Sequence, residues 1–433
     1  MKSIWAGGHY RQKRQFWSNS LLYRIFGPEL WAQSGGTLFS MNYANTLWLF
    51  LVAVPLTCVE TRVPSGDGQS GTENAAVKYL RADVSLRQSY TLGPDAAATL
   101  QKALESPLDK EDERLVAAAD QALVEFHHGA ASKYCNWEMS QEDGPLANTA
   151  HRGALMELVY VAGLRARLRF RDGAADGAID DGLAAIAAAR HLSVDGSLAS
   201  VLFAYRLEDA INRLFAKNLY LFSPAQLIEL PGSLDALPTG SNLGEAFKAE
   251  KVRRNDVGDA VRGAKSRDDL IELLRDRLPV LQSNRAAAAE IVDGCGGTIR
   301  GFLTCLSQQR SFYELWASRF DMPPEQYEKE YNAEIKEVSK GNSVIRQFTP
   351  ALPRFRWAEA YHRTRRVLLI AAIGVRMDGP NVLDKYPDPY DGKSFSYIAV
   401  DGGFRLESHL IEGGIPVSLF LAQASEDRKV GSN

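Results

Sequence analysis

The chain is poor in cysteine, poor in histidine and nearly neutral, and each shortage closes off a class of function. Four cysteines among 433 residues, Cys58, Cys135, Cys295 and Cys305, are too few for a disulfide-built scaffold. Their spacing matches no zinc pattern, and no histidine lies near the Cys295/Cys305 pair. A net charge of −3, with no basic stripe interleaved with aromatics, argues against DNA or RNA as a partner. The seven histidines are scattered. Their one local cluster, Glu125-Phe126-His127-His128, sets Glu125 and His128 three apart on a helix, and two ligands do not make a metal site. Asp388, Asp391 and Asp401 lack the EF-hand spacing and its closing glutamate, so no metal and no cofactor is expected. No Gly-Lys-Ser/Thr follows Gly294–Gly297, and neither Gly-x-Ser-x-Gly nor His-Glu-x-x-His is present.

Charge itself is missing from one stretch. Between Glu29 and Glu60 no residue is charged, and inside the gap lies the apolar run Leu47–Leu56. A spanning helix needs roughly 20 apolar residues to cross ~30 Å of hydrocarbon. The run is shorter than that and suits the apolar region of a signal peptide. Pro55 and the Pro/Gly/Ser-rich segment Pro64–Gly71 read as its exit into a flexible linker. Lys2, Arg11, Lys13, Arg14 and Arg24 give a positive flank, although far upstream, which makes Met41 an alternative start. Lys13-Arg14 carries a weak twin-arginine pattern, and Cys58 stands where a lipoprotein signal would place its cysteine. The expected address is extracytoplasmic, in the periplasm or anchored in the envelope, with membrane contact through the N-terminal segment only. A cytoplasmic protein with one hydrophobic helix is the alternative.

What is present is mostly helical periodicity. Hydrophobic content of 45% and charged content of 24% are those of a globular protein. The 3.6-residue period predicts helices over Arg114–Phe126, Gly153–Phe170, Ala174–His191, Leu198–Ala216, Leu243–Val261, Asp268–Leu278, Arg300–Phe320, Pro324–Ser339 and Arg354–Arg376. Ser223-Pro224-Ala225-Gln226 combines a capping serine, a first-turn proline and a capping-box glutamine. Asn242/Glu245 and Ser266/Asp269 repeat the pattern. The pair Gly153–Phe170 and Ala174–His191, joined by Arg171-Asp172-Gly173, is the unit of a TPR-like array. Alanines at 162, 166, 178 and 187 would let the two helices approach closely. Near the end, Phe395–Val400 and Phe404–His409 flank Asp401-Gly402-Gly403 and predict a β-hairpin, docked through Phe395, Tyr397 and Phe404. The expected fold is mainly α: an irregular helical array with TPR-like pairs and a small C-terminal hairpin. Its expected boundaries are a leader (1–40), a signal peptide or anchor (41–60) and a linker (61–73). A helical body (74–380), a turn and hairpin (381–412) and a mobile C-terminal tail (413–433) follow.

Leu164–Arg169, Ala188–Leu192, Leu221–Gln226, Leu234–Pro238 and Asp388-Pro-Tyr-Asp-Gly-Lys393 together carry a likeness. The chain resembles a group of uncharacterised bacterial proteins, exported or membrane-anchored, with an all-helical body and an Asp-Pro-Phe-x-Gly-Lys-Pro-Leu-x-Tyr tail. It departs from that tail at Tyr390, Ser394 and Phe395. The resemblance implies fold and address and supplies no activity.

The candidate binding residues are Arg165, Arg190, His191, Tyr205 and Glu208, placed by spacing along a groove of the helical body. Glu208 shares a face with Val201, Tyr205 and Asn212, and a buried carboxylate must be paired or protonated. Arg165, Arg169 or Arg190 could pair with it. No catalytic set is identifiable. The expected function is an exported or anchored helical scaffold that holds a protein or peptide partner in a helical groove. The alternative is an envelope hydrolase built from Glu208, Arg190 and His191. A disulfide between Cys295 and Cys305 is chemically permitted.

Overall fold

The computed structural model describes residues 73–91, 93, 95–137, 150–247, 255–277, 279–349 and 352–422. The leader, the run Leu47–Leu56, Cys58 and residues 423–433 lie outside them. Helices α1 (Ala75–Ser89), α2 (Ala96–Glu105), α3 (Lys110–Ala118), α4 (Asp120–Ala130), α5 (Ala150–Arg171), α6 (Ala175–Ser193), α7 (Leu198–Asn218) and α8 (Pro224–Ala236) come first. Then follow α9 (Asn255–Gly263), α10 (Arg267–Arg277), α11 (Pro279–Gln282), α12 (Arg285–Asp293), α13 (Ile299–Ser318), α14 (Pro324–Val338), α15 (Ser343–Phe348) and α16 (Leu352–Asp378). Strands β1 (Ser396–Val400), β2 (Gly403–Glu412) and β3 (Ile415–Ala422) close the chain. The protein is mainly α with a small C-terminal antiparallel sheet. Among the described residues no helix is long and apolar enough to cross a membrane.

The helical body expected as one piece is two compact units, divided near residue 254 and again inside α16 after Arg354. The division was hidden because α9 to α15 continue the helical period while building a core of their own. Val261, Leu270, Leu274, Val292, Phe302 and Val344 form that core. In the same unit Trp316 is fully buried and packs edge-on against Tyr327 (5.0 Å) and Tyr331 (5.2 Å).

The larger unit is organised around α6. Every side chain from Ala184 to Ser193 is buried, so this stretch of the helix is enclosed on all sides by its neighbours among α4, α5, α7 and α8. Small residues make that possible. A Cβ on Gly182 would lie 2.3 Å from the Phe215 ring, so α7 seats an aromatic side chain directly on bare α6 backbone. Gly173, at φ +78°, turns the chain from α5 into α6. Capping follows the sequence expectation. Ser223/Gln226 forms a full capping box, and Asn242/Glu245 exchanges two bonds of 2.8 and 3.2 Å. The predicted helix Arg114–Phe126 is instead two, with Ala119 between α3 and α4.

The sheet has three strands, order β1-β2-β3. Asp401-Gly402 and Gly413-Gly414 form two-residue turns, with both Gly413 (φ +58°) and Gly414 (φ +86°) in the left-handed region. The third strand corrects the expected mobile tail over residues 413–422, the part of 413–433 that is described: Val417, Leu419 and Leu421 alternate inward and extend the hairpin's apolar face. Phe404, Leu406 and Leu410 of β2 share that face, and β3 packs on α7. Each such buried side chain contributes about 1.5–3 kcal/mol. Phe395 and Phe404 are buried as expected, whereas Tyr397 is 39% exposed and stacks on Phe404 from the sheet edge.

Substituting Gly182 by alanine should destabilise the larger unit by about 1–3 kcal/mol, since its Cβ collides with Phe215. Urea unfolding checks this; unchanged stability would mean that α6 and α7 are not packed this tightly.

Candidate functional site

The five groove candidates fall into three separate clusters of the larger unit. Arg190 on α6 and Glu208 on α7 form a buried two-point pair, Nη2 to Oε1 at 2.8 Å and Nε to Oε2 at 3.2 Å. The same guanidinium donates through Nη1 to the Leu234 and Pro238 carbonyls at 3.1 and 3.3 Å, satisfying the end of α8. His362 of α16 completes the group, with Nε2 3.8 Å from Glu208 Oε2. Tyr205 stacks flat on the His362 ring at 3.9 Å and donates its hydroxyl to Glu359, which also accepts from the Leu243 amide at 3.3 Å. Among the described residues His362 Nδ1 has no hydrogen-bond partner.

Burial alone would raise the Glu208 carboxyl, but His362 and the Arg190 guanidinium reverse that and hold it below its usual value. Burial lowers His362, so Arg190 is the permanent counter-charge. Burial and the neighbouring Glu359 push the Tyr205 hydroxyl well above its usual value. Arg190, Tyr205 and Glu208 therefore lie in one cluster. His362 and Glu359 were not identified from the sequence.

Arg165 lies in a second cluster. Asp181, fully buried on α6, accepts from Arg165 at 2.6 and 3.0 Å and from Arg169 at 2.8 Å, and lies 2.8 Å from His127 Nε2. Arg165 and Arg169 were weighed as partners for Glu208; they take Asp181 instead. The facing sides of the α5–α6 hairpin carry this pairing, which spans only 16 residues of sequence.

His191 lies in a third. Its Nδ1 shares a hydrogen bond of 2.8 Å with the Tyr79 hydroxyl, and its carbonyl accepts from the Trp137 indole at 2.8 Å. Trp137 stacks on both Tyr79 and His151. His151 pairs with Asp195 at 3.3 Å, while the Ser200 hydroxyl donates straight to Asp195. A nucleophilic serine would instead bond to the histidine. This arrangement caps α7 rather than relaying a proton, since Ser197 is its N-cap and the Ser197 amide also binds Asp195 at 2.7 Å.

A fourth pair ties sheet to helices. Arg365 of α16 donates to Asp209 at 2.7 Å and to the Ser418 carbonyl of β3. In the tail, Asp388, Asp391 and His409 converge. The Asp388 carboxylate already accepts from Ser408 (2.6 Å) and from the His409 and Tyr390 amides (2.9 and 3.0 Å). The Lys393 ammonium lies 3.1 Å from Asp391. The set reads as a turn staple.

A hollow of ≈ 200 Å³ is lined by Leu104, Glu105, Ala210, Arg213, Leu214 and Lys217. None of the five groove candidates lines it. No protein family, curated protein or solved structure matches this chain.

Burial pushes His191 down to about 4. Its unfolded value is near 6.5, so the unfolded chain binds the extra proton between those values. Stability from this group is present above about pH 6.5 and is lost as pH falls toward 4, by about 3 kcal/mol. Glu412, raised to about 7 by burial and Asp209, acts oppositely: its contribution is present at low pH and lost as pH rises through 7. Comparing wild type with His191→Phe separates the two. The variant should lose less stability between about pH 7 and pH 5, read as urea midpoints. Parallel profiles would contradict the assignment.

Proposed function

We propose that this protein is a helical scaffold or binding protein, exported or membrane-anchored through its N-terminal segment, that holds a protein or peptide partner. The observation that carries this reading is the closure of the internal charges on one another. Arg190 is spent on Glu208 and two carbonyls, and Asp181 is surrounded by Arg165, Arg169 and His127. Charges so paired fix helix positions and offer little to a reacting substrate. Surface supports the partner: Ile411, Ile415 and Phe420 of the sheet are each more than half exposed. The α5–α6 hairpin is the element that a TPR-like array would repeat. The address rests on Leu47–Leu56 and on the resemblance to exported helical proteins.

One observation favours a hydrolase as the second reading. His362, rather than His191, stands beside Glu208, with Nε2 3.8 Å from Oε2, and among the described residues its Nδ1 is unpartnered. A histidine beside a carboxylate is the pairing from which a general base is built.

Two measurements test these readings. A reporter active only in the cytosol, fused after Asn433, should be silent; an active fusion would overturn the address. His362→Gln, checked for retained fold, should leave the protein's cellular function intact in a scaffold. Loss of function at unchanged stability would overturn the scaffold reading in favour of the hydrolase.

A further inference from the structure

The smaller unit carries an arrangement that neither reading uses. Cys295 follows α12, and Gly296 and Gly297, at φ +85° and +65°, swing the chain toward α13. A Cβ on Gly301 would lie 2.1 Å from the Cys295 carbonyl oxygen. A Cβ on Gly294 would lie 2.7 Å from Ser343 Cβ. These two bare positions let Cys295 wedge between the first turn of α13 and the start of α15. Cys305 lies four residues beyond Gly301, on the same face of α13 one turn further along. Two consecutive residues of the α15 start touch both cysteines. Ser343 Oγ lies 3.1 Å from Cys295 Sγ, and Asn342 Nδ2 donates to the Cys305 carbonyl at 3.0 Å. Both cysteines are buried in one apolar cluster, Cys295 against Gly301 and Ser343 and Cys305 one turn beyond Gly301.

We propose that Cys295 and Cys305 are a disulfide-forming pair that closes the segment Gly296–Thr304 and ties the end of α12 to α13. The oxidant is a small-molecule disulfide such as glutathione disulfide. One protein thiolate attacks a sulfur of the oxidant, releasing one glutathione thiol and leaving a mixed disulfide. The second protein thiol attacks the protein sulfur of that intermediate and releases the other glutathione. Two protein S–H bonds are replaced by one S–S bond, and the two hydrogens end on the two glutathione thiols. Burial pushes the Cys305 thiol up to about 12, which keeps it protonated and slow to react in the folded unit. Oxidation therefore accompanies folding, before the core closes, and the same burial then shields the bond from reductants.

The test uses the full chain, unfolded and reduced, then refolded either in a glutathione/glutathione disulfide buffer or in excess reductant. Free thiols are counted in denaturant after removal of small thiols. The oxidised sample should show two fewer thiols per chain, and proteolysis should release one peptide pair joining Cys295 to Cys305. Cys295→Ser and Cys305→Ser should each abolish that loss, and Gly301→Ala should reduce it by displacing the Cys295 backbone. Equal thiol counts in the two buffers, or a bond from either cysteine to Cys58 or Cys135, would overturn the proposal. The wild-type count decides even if a serine variant fails to fold.

Discussion

The packing of the larger unit depends on pairing the charges that α6 carries inward. From Asp181 onward α6 is almost wholly buried, yet this stretch bears Asp181 and Arg190. An unpaired charge there would carry a desolvation penalty of several kcal/mol. Each is met by a partner from a different neighbour: Asp181 by Arg165 and Arg169 of α5, and Arg190 by Glu208 of α7. These pairs therefore specify which helices lie beside α6 and at what height. Apolar burial supplies most of the free energy, and it is non-directional. The ion pairs set the register.

The same constraint extends to the sheet. Asp209, one residue after Glu208 and about 100° further round α7, meets Arg365 of α16, which also binds the Ser418 carbonyl of β3. Two adjacent carboxylates on α7 thus join α6, through Arg190, to the α16–β3 corner, through Arg365. Small residues permit this density. Gly182 admits the Phe215 ring, and the alanines of α6 bring backbones close enough for short side chains to reach their partners.

Local signals were legible in the sequence, and distant ones were not. The capping boxes at Ser223/Gln226 and Asn242/Glu245 are complete within four residues, so the chain announces them by itself. The long helices and the Asp401-Gly402 turn were legible for the same reason. Glu208 was readable as an inward carboxylate from its helical face, and Arg190 was among its foreseeable partners. His362 and Glu359 were not, because 154 residues separate each from its partner on α7, Glu208 and Tyr205 respectively. His191 was grouped with Arg190 because they are adjacent; neighbours on a helix point about 100° apart, which sends His191 to Tyr79 instead. β3 was missed because Gly413-Gly414 and Pro416 read as loop, masking the alternation of Val417, Leu419 and Leu421.

A double-mutant cycle on Arg190 and Glu208, read by urea unfolding, tests most directly whether buried pairing governs this packing. Arg190→Met and Glu208→Leu should each cost about 3–5 kcal/mol, because each strands the other's charge in the core. The double variant should recover at least about 1 kcal/mol of their sum. Single losses below about 1 kcal/mol that simply add would contradict the account.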